Sequence, residues 1–589
     1  MRIKEEVDPY LEMAAIHLET YKQNGPAILF EKVKGSKYRA VSNLFGTKER
    51  RKFIFRTTVN QVKKLIELKV NPVSILQNWH QLPALIRTLY NSFPYRNDGK
   101  IKSNFDEILI QDLPLIHHWE KDGGAFVTLP QVYTENLLKK GIKYSNIGMY
   151  RIQLTGNDYT LNKEIGLHYQ LHRGIGIHHT LAKELKKPLK VSCFVGGPPA
   201  HTLAAVMPLP ENISETNFAG ALSGRRFRYG YLNDFCISTD ADFIIIGEVQ
   251  SENKIEGPFG DHLGYYSLQH PFPYLKVEKV FAKKNAIWHF TVVGRPPQED
   301  TQFGEMIHDL VGDVIKYDIP GIEAIQAVDE AGVHPLLLAI GKERYTPYLV
   351  NKQPAEILTI AHHILGTGQL SLAKFLFITS DETNQLNIQN YPLYFTYILE
   401  RIDFKRDIHF ITNTTMDTLD YSGTDINAGS KVIFASNGEK KRNLCIEIPA
   451  LIKENAFIKN TCLIQPGIIA IEINAFISYN QAAIEISALN HVLKDNATEL
   501  LNIHGLALII ICDDANLMNE YNNFLWIGFT RANPAKDIYG IHEFTENKHW
   551  GCNGSLIIDA RKKPFHAPVL EINKKITEKA LKILSKYTF

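Results

Sequence analysis

Residues 243–261 of this chain spell FIIIGEVQSENKIEGPFGD, an apolar run followed by a polar stretch and a turn that contains two acids. The run at 243–246 is typical of a β-strand. Similar short β-rich runs, separated by Gly, Pro and Asn, lie at residues 125–128, 191–195 and 288–293. Their regular spacing favours a sheet or a barrel in this part of the chain.

The flanking regions have different patterns. Residues 1–110 mix short apolar runs with helix-like stretches, which predicts an N-terminal α/β domain. The β-rich runs predict a central domain at 111–310. Beyond it, at 311–589, strand-like runs alternate with helical stretches and predict a C-terminal α/β domain. The predicted fold class is therefore α/β (α+β).

The C-terminal domain contains a weak internal repeat, at about residues 370–435 and 505–560. Each copy has an apolar strand that ends in acids, then a helix, an Asp-Ile step and a second strand, in the same order. A partial duplication explains this order. Chance similarity between two α/β units is the alternative.

Composition excludes several classes of protein. The 65 basic and 63 acidic residues give a formal charge of +2, so no electrostatic footprint indicates a nucleic-acid partner. The six cysteines form no CxxC pair, which argues against a zinc ribbon or a disulfide scaffold. The N-terminus is charged and no apolar stretch is long enough to span a bilayer. We therefore expect a cytoplasmic protein without a transmembrane segment.

Polar groups suited to chemistry are concentrated between residues 146 and 300. Oxygen and imidazole ligands suit a hard divalent ion such as Mg or Mn, and such an ion beside backbone amides can hold a phosphate. The acids Glu256 and Asp261 are five positions apart across Gly-Pro and Phe-Gly. Neighbouring carboxylates tend to separate in proton affinity, which provides one base and one proton donor. Taken by itself, the EGPFGD segment has an alternative interpretation as a tight turn without a chemical role.

In combination and in this order, these segments closely resemble the UbiD family of decarboxylases, which use a prenylated flavin. The resemblance covers nearly the whole chain and is densest from residue 122 to residue 300. It rests on these motifs: Asn-x4-Arg at 146–151, HRG at 172–174, Ser-Glu at 214–215, EGPFGD at 256–261 and GRPPQED at 294–300. Two departures are the apparent lack of the family's short helix before RIKEEV and the longer, duplicated C-terminal part.

The resemblance implies a central split β-barrel of the flavin-reductase-like type and roles for individual residues. Arg151, Glu256 and Asp261 would form the catalytic triad. Asn146, His172 and Glu215 would bind a divalent metal that bridges to the cofactor phosphate. The residues that would line the prenylated FMN are Met149, Tyr150, Arg151, His168, Tyr169, Gln170, Arg173 and Gly174. The metal is expected to be manganese or else magnesium, with potassium as a further candidate.

The chemistry explains why such groups are needed. Loss of CO2 from an sp² carbon leaves an electron pair that no side chain can absorb, so a cofactor must act as the sink. The product carbon must then be protonated, and we assign this step to Glu256. Asp261 would relay or tune the proton, while Arg151 would hold Glu256 ionised until it is needed.

The expected function is non-oxidative decarboxylation of an aromatic or α,β-unsaturated acid in ubiquinone or menaquinone biosynthesis. A separate flavin prenyltransferase would supply the cofactor, and a dimer or hexamer is expected. A prenylated substrate would add peripheral membrane contact.

Three alternatives remain. The first is a catalytically inactive UbiD-like binding protein. The second is a flavin-binding oxidoreductase on a related barrel, although the chain has no GxGxxG motif. The third is a metal-dependent hydrolase built on the adjacent histidine pairs at 117–118, 178–179 and 362–363, whose members would point to opposite faces of a strand.

Overall fold

The computed structural model describes residues 1–70, 82–170, 173–209, 214–312, 315–346, 348–350, 352–382 and 385–587. The chain divides into two compact units, one formed by residues 1–314 with 568–589 and the other by residues 315–567. No described helix is both long and apolar enough to cross a membrane.

The first unit contains most of the strands. They are β1 (Arg2–Val7), β2 (Ile28–Val33), β3 (Arg39–Ser42), β4 (Tyr95–Arg96), β5 (Phe105–Ile108), β6 (Phe126–Val127), β7 (Gln131–Glu135), β8 (Ser145–Gly148), β9 (Ile152–Gln153), β10 (Glu164–Leu167), β11 (Lys190–Val195), β12 (Arg228–Leu232), β13 (Phe235–Ser238), β14 (Phe243–Glu256), β15 (Phe259–Gly260), β16 (Tyr266–Ser267), β17 (His270–Lys283) and β18 (Ile287–His289). Its helices are α1 (Glu12–Lys22), α2 (Lys48–Ile54), α3 (Val59–Val70), α4 (Leu82–Ser92), α5 (Lys100–Asn104), α6 (Gly174–Glu184), α7 (Pro199–Ala204), α8 (Glu215–Ser223), α9 (Thr301–Val311) and the C-terminal α18 (Lys574–Leu584).

A nine-stranded antiparallel sheet is the centre of this unit. Its order is β6-β9-β10-β17-β14-β11-β7-β8, with β5 also paired to β17. Smaller sheets have the orders β1-β2-β3-β18, β13-β12-β4 and β15-β16. Among the described residues no pairing joins β6 to β8, so the split barrel stays a prediction. The division into domains 1–110 and 111–310 also stays a prediction, since one small sheet combines β1–β3 with β18.

The apolar run at the start of β14 is continuous because both faces of the sheet are covered. Phe243 and Ile245 pack into one hydrophobic core, and Ile244 and Ile246 pack into another. All four side chains are buried. A strand that faced water on one side would alternate apolar and polar residues instead. The sequence-based assignment of this run to a strand is confirmed.

The second unit has these strands: β19 (Ile322–Val328), β20 (Val333–Gly341), β21 (Phe375–Ser380), β22 (Ile408–Thr415), β23 (Ala428–Ser436), β24 (Asn460–Gln465), β25 (Ile468–Glu472), β26 (Leu508–Cys512), β27 (Ile538–Gly540), β28 (Glu543–Glu546), β29 (His549–Cys552) and β30 (Leu556–Asp559). Its helices are α10 (Ile315–Asp318), α11 (Glu356–Leu365), α12 (Tyr391–Arg401), α13 (Ala450–Lys453), α14 (Tyr479–Leu493), α15 (Ala497–Asn502), α16 (Tyr521–Thr530) and α17 (Pro534–Asp537).

Two five-stranded sheets in this unit have the same topology. Their orders are β19-β20-β21-β23-β22 and β24-β25-β26-β30-β27. In each sheet the first and last pairs are antiparallel and the two middle pairs are parallel. The partial duplication thus extends beyond the sequence repeat, because each sheet has two further strands before it.

Equivalent aspartates accept the same backbone hydrogen bond in both copies of the repeat. The Asp407 carboxylate accepts from the Asp403 backbone N–H at 2.9 Å, and the Asp537 carboxylate accepts from the Asn533 N–H at 2.6 Å. These acids therefore cap turns.

The strand placement assumed for the histidine pairs is wrong for two of them. His178 and His179 lie on α6, and His362 and His363 lie on α11.

Candidate active site

Arg151 joins the two acids of the EGPFGD turn. Its Nε donates to Glu256 Oε1 at 2.8 Å and its Nη2 donates to Glu256 Oε2 at 2.7 Å. Its Nη1 donates to the Asp261 carboxylate, and its Nη2 also lies 2.9 Å from Ser267 Oγ. The ring of Phe259 packs 4.7 Å from the guanidinium carbon. The three residues predicted as a catalytic triad therefore meet in space.

The local fold explains this meeting. Glu256 is the last residue of β14, and the chain then turns through Gly257, whose φ of +88° favours glycine. Strand β15 follows and pairs antiparallel with β16, which returns Ser267 to the side of Arg151. Arg151 itself directly precedes β9. Two strands of the large sheet and one hairpin thus position the cluster.

Charge keeps both acids ionised despite burial. Burial would raise the pKa of Glu256, but Arg151 and His168 outweigh it and hold that pKa at about 2. Burial acts against Asp261 in the same way, and its hydrogen bond with His262 and the charge of Arg151 leave its pKa lowered. One guanidinium therefore faces two carboxylates, and the cluster becomes neutral when it accepts one proton.

His168 lies at this cluster. Its Nδ1 is 3.2 Å from Arg151 Nη2 and 3.4 Å from Glu256 Oε2, and its ring packs against Phe272 at 4.1 Å between centroids. Burial and Arg151 lower its pKa, which favours the neutral imidazole. Its buried Nε2 has no hydrogen-bond partner in the described part of the chain. The role of His168 as a flavin contact stays a prediction, and its nearest polar partners here are Arg151 and Glu256.

Two of the three expected metal ligands lie beside one another. Asn146 is on β8 and Glu215 is the first residue of α8; Glu215 Oε2 accepts from the backbone N–H of Ile147 at 2.9 Å. Ser145 Oγ and Ser214 Oγ, which belong to the residues that precede the two ligands, are 3.0 Å apart. The third expected ligand, His172, lies outside the described residues.

The chemistry of these groups fits a divalent cation. Burial raises the pKa of Glu215 to about 7, and only backbone N–H groups oppose that rise. A cation would compensate this carboxylate, and carboxylate and amide oxygens are suitable ligands for Mn or Mg. The start of α6 also approaches closely: a Cβ on Gly174 would lie 2.2 Å from Asn146 Oδ1. A side chain at position 174 would therefore require the Asn146 side chain to move.

Tyr150, one of the residues expected to line the flavin, contacts one of these expected ligands. Asn146 Nδ2 donates to Tyr150 Oη at 3.2 Å, and the ring centroids of Tyr150 and Tyr169 are 6.3 Å apart. Burial raises the pKa of Tyr150 to about 12, and the charge of Arg173 acts on this phenol in the opposite direction. Met149 donates its backbone N–H to Ala205 O at 2.9 Å. Gln170 ends the described segment that carries His168 and Tyr169.

Sequence reasoning missed the side chains that hold the EGPFGD turn. Gln153 Oε1 accepts from Gly257 N at 2.9 Å, and Asn157 Nδ2 donates to Gly257 O at 2.8 Å. Asp122 Oδ1 accepts from Gly260 N at 2.8 Å. Residue 122 begins the densest part of the family resemblance, but hydrogen bonds to backbone groups leave no spacing pattern that would have indicated this contact.

Comparison with known proteins identifies the family of this chain. Residues 1–69, 95–296 and 301–436 match the N-terminal, Rift-related and C-terminal domains of 3-octaprenyl-4-hydroxybenzoate carboxy-lyase. The chain belongs to the UbiD family of carboxy-lyases.

Relatives and solved structures agree with this assignment. An uncharacterized protein of Chlamydia caviae is 34% identical over 97% of this chain and 94% of its own length. A Chlamydia pneumoniae protein, named as one of the subunits of a 4-hydroxybenzoate decarboxylase, is also 34% identical, over 97% of this chain and 93% of its own length.

Among solved structures, the closed form of the vanillic acid decarboxylase of Sedimentibacter hydroxybenzoicus has a TM-score of 0.62 at 20% identity, with 83% of this chain and 95% of that chain covered. The UbiD-class enzyme HmfF of Pelotomaculum thermopropionicum, in complex with FMN, has a TM-score of 0.57 at 19% identity, with 77% and 95% covered. At these identities the likeness shows the fold.

Proposed function

We propose that this protein decarboxylates an aromatic or α,β-unsaturated carboxylic acid with the help of prenylated FMN and a divalent metal. The observation that carries the proposal is the single guanidinium of Arg151 bound to both Glu256 and Asp261. The family assignment supports it, and so does a related HmfF structure that contains prenylated FMN.

The prenylated flavin, when bound, supplies the sink for the electrons left by departing CO2. Asn146 and Glu215, with His172 as the expected third ligand, would hold a manganese or magnesium ion, and potassium is a further candidate. The neighbouring Tyr150 and Arg173 would contact the flavin.

The protein's own acid–base work falls to the cluster on Arg151. With one positive and two negative charges the ionised cluster carries a net charge of −1, and it becomes neutral when it takes up one proton. Because the two acids share one guanidinium, they titrate as a coupled pair. Glu256 would pass the proton to the product carbon, and Asp261, hydrogen-bonded to His262 at 2.7 Å, would relay the next one. Burial of Glu256 keeps bulk water from competing for this proton.

The substrate and cellular setting complete the proposal. A 4-hydroxybenzoate with a prenyl tail or a dihydroxynaphthoate would place the reaction in ubiquinone or menaquinone biosynthesis. A separate flavin prenyltransferase would supply the cofactor, and the protein would act as a homo-oligomer. All six cysteines are buried and unpaired, which fits a reducing cytoplasm. A prenylated substrate would bring the enzyme to a membrane surface.

Co-expression with a flavin prenyltransferase, followed by a CO2-release screen, tests the proposal. The screen would cover prenylated and plain 4-hydroxybenzoate, dihydroxynaphthoate and vanillate. We expect at least one acid to be decarboxylated, and only by protein made with the prenyltransferase. A Glu256→Gln variant with equal flavin content is the matched control. A fully loaded protein that releases CO2 from none of these acids would contradict the proposal.

A further inference from the structure

Asp122 gathers three backbone N–H groups around its carboxylate. Oδ1 accepts from Gly260 N at 2.8 Å, and Oδ2 accepts from Trp119 N at 3.0 Å and His118 N at 3.2 Å. Gly260 directly precedes Asp261. The carboxylate therefore links a turn at residues 118–122 to the end of the EGPFGD turn that carries one of the two acids.

The two turns are also in direct backbone contact. Gly123 N donates to Pro258 O at 2.7 Å. A Cβ on Gly123 would lie 2.2 Å from Gly257 O, and a Cβ on Gly260 would lie 2.0 Å from Trp119 Cδ1. Since backbone atoms cannot move aside as a flexible side chain can, this contact leaves the EGPFGD turn little freedom.

The turn at residues 118–122 is itself anchored. Trp119 Nε1 donates to Val293 O at 2.8 Å, and the Trp119 side chain is buried. At the other end of the EGPFGD turn, Gln153 binds both Gly257 N at 2.9 Å and Gly123 O at 3.1 Å. The Glu256 end and the Asp261 end are thus held separately, and Asp122 holds the Asp261 end.

We propose that Asp122 is a positioning residue for proton transfer: by fixing Gly260 it sets where Asp261 meets the guanidinium of Arg151. The inference rests on the decarboxylase function proposed above. Asp122 is not itself a catalytic residue, because it acts through the backbone of the turn.

An amide cannot replace this carboxylate, although it has the same shape. Three donors converge on two oxygens, and asparagine has only one accepting oxygen. Its NH2 group would face the N–H of Gly260 or those of Trp119 and His118. A donor that meets a donor leaves both unsatisfied, so the turn would move away. A displacement of about 1 Å at a reacting group can cost about a hundredfold in rate.

Asp122→Asn tests the inference in the cofactor-loaded protein. We expect kcat to fall about 10- to 100-fold, with KM and the flavin absorbance per protein near wild type. The solvent deuterium isotope effect on kcat should rise, because a mispositioned acid makes proton transfer slower relative to the other steps. The matched control is Asp112→Asn, since the Asp112 carboxylate accepts from Leu109 N at 2.9 Å in the same unit, outside the Arg151 cluster.

Three results would overturn the inference: wild-type kcat in Asp122→Asn, a loss of kcat that only follows loss of flavin, or an unchanged isotope effect. If Asp122→Asn does not fold, Asp122→Glu tests the inference instead. Glutamate keeps both accepting oxygens but shifts them by one methylene. Lowered kcat with normal flavin content and a raised isotope effect then supports the inference, and wild-type kcat overturns it. A wild-type protein without activity on any acid would contradict the proposed function instead.

Discussion

Arg151 binds Glu256 through two parallel hydrogen bonds, from Nε to Oε1 at 2.8 Å and from Nη2 to Oε2 at 2.7 Å. The arginine side chain is 9% exposed and the glutamate side chain is 1% exposed. This bidentate geometry requires a planar fork of donors. The third arm of the fork binds Asp261, so one side chain holds both acids in place.

Arg151→Lys should lower kcat about a hundredfold or more. Lysine keeps the charge but provides a single point donor that cannot bind both oxygens of Glu256 and also Asp261. Steady-state kinetics of the cofactor-loaded variant measure the effect. Arg228→Lys is the matched control, because the Arg228 guanidinium binds the Asp240 carboxylate through Nε and Nη2 and lies half-exposed elsewhere in the same unit. An Arg151→Lys variant within about threefold of wild type would show that the fork is dispensable.

Glu256→Gln should bind flavin normally and lose turnover about 10²- to 10⁴-fold, the usual contribution of a positioned proton-transfer group. The amide retains the shape of the side chain but has no proton of suitable acidity to give. Flavin absorbance and CO2 release on the same sample separate the two effects. Glu164→Gln, which removes the partner of Lys254 near the surface, should leave turnover unchanged. Wild-type-like turnover would remove Glu256 from the mechanism.

Acid stability should depend on Glu256. Its pKa is lowered from 4.5 to about 2 in the folded protein, so ionised Glu256 stabilises the fold above about pH 4.5. That contribution is lost as the pH falls from about 4.5 through about 2. The free energy of unfolding of the wild type should therefore fall more steeply over this range than that of Glu256→Gln. Glu107→Gln, at an exposed carboxylate, should follow the wild type. Parallel curves for wild type and Glu256→Gln would refute this prediction.

Glu215→Ala should purify with little flavin, and Mn²⁺ should not raise its Tm. The wild-type carboxylate has only backbone N–H partners among the described residues, which leaves its charge available to a cation. Thermal unfolding with and without Mn²⁺ provides a readout independent of activity. Glu184→Ala, at an exposed carboxylate on α6, is the control. Full flavin absorbance in Glu215→Ala would show that Glu215 is not a metal ligand.

Lys374→Met should destabilise the second unit by about 3–5 kcal/mol, because it leaves Asp420 as an unpaired buried charge. Lys374 Nζ lies 2.8 Å from Asp420 Oδ2 and donates to Ser422 Oγ at 2.8 Å and Thr530 O at 3.0 Å.

Urea unfolding of the second unit measures this loss, and Lys374→Met/Asp420→Leu should recover much of it. Lys279→Met, in an exposed pair with Glu107, should cost less than about 1 kcal/mol. A cost equally small for Lys374→Met would mean that Asp420 finds another partner.

Local patterns predicted much of the fold. The apolar run at 243–246 indicated a strand, and the structure shows that the run is continuous because both of its faces meet a core. The repeat at 370–435 and 505–560 was visible because its strands and a helix recur in order. The two strands that precede each copy of the repeat were not predicted from the sequence. Their pairing in the structure shows that they complete two equivalent sheets.

The acid–base site was predictable for a different reason. Arg151, Glu256 and Asp261 lie in motifs that a family resemblance identifies residue by residue. Asp122 and Gln153 were missed because their partners are backbone groups, which every residue has. His168 was expected at the flavin, and the structure adds its contact with Glu256, which depends on the pairing of β10 and β17.

The sequence by itself determined the reaction class and the positions of the strand runs, since motif chemistry and apolar periodicity are local properties of the chain. Only the tertiary structure decided that one guanidinium serves two carboxylates, that Asp122 holds the turn between them, and that the duplication is a pair of equivalent sheets. These contacts join residues far apart in the chain. Their distances follow from strand pairing and close packing, which no single segment encodes.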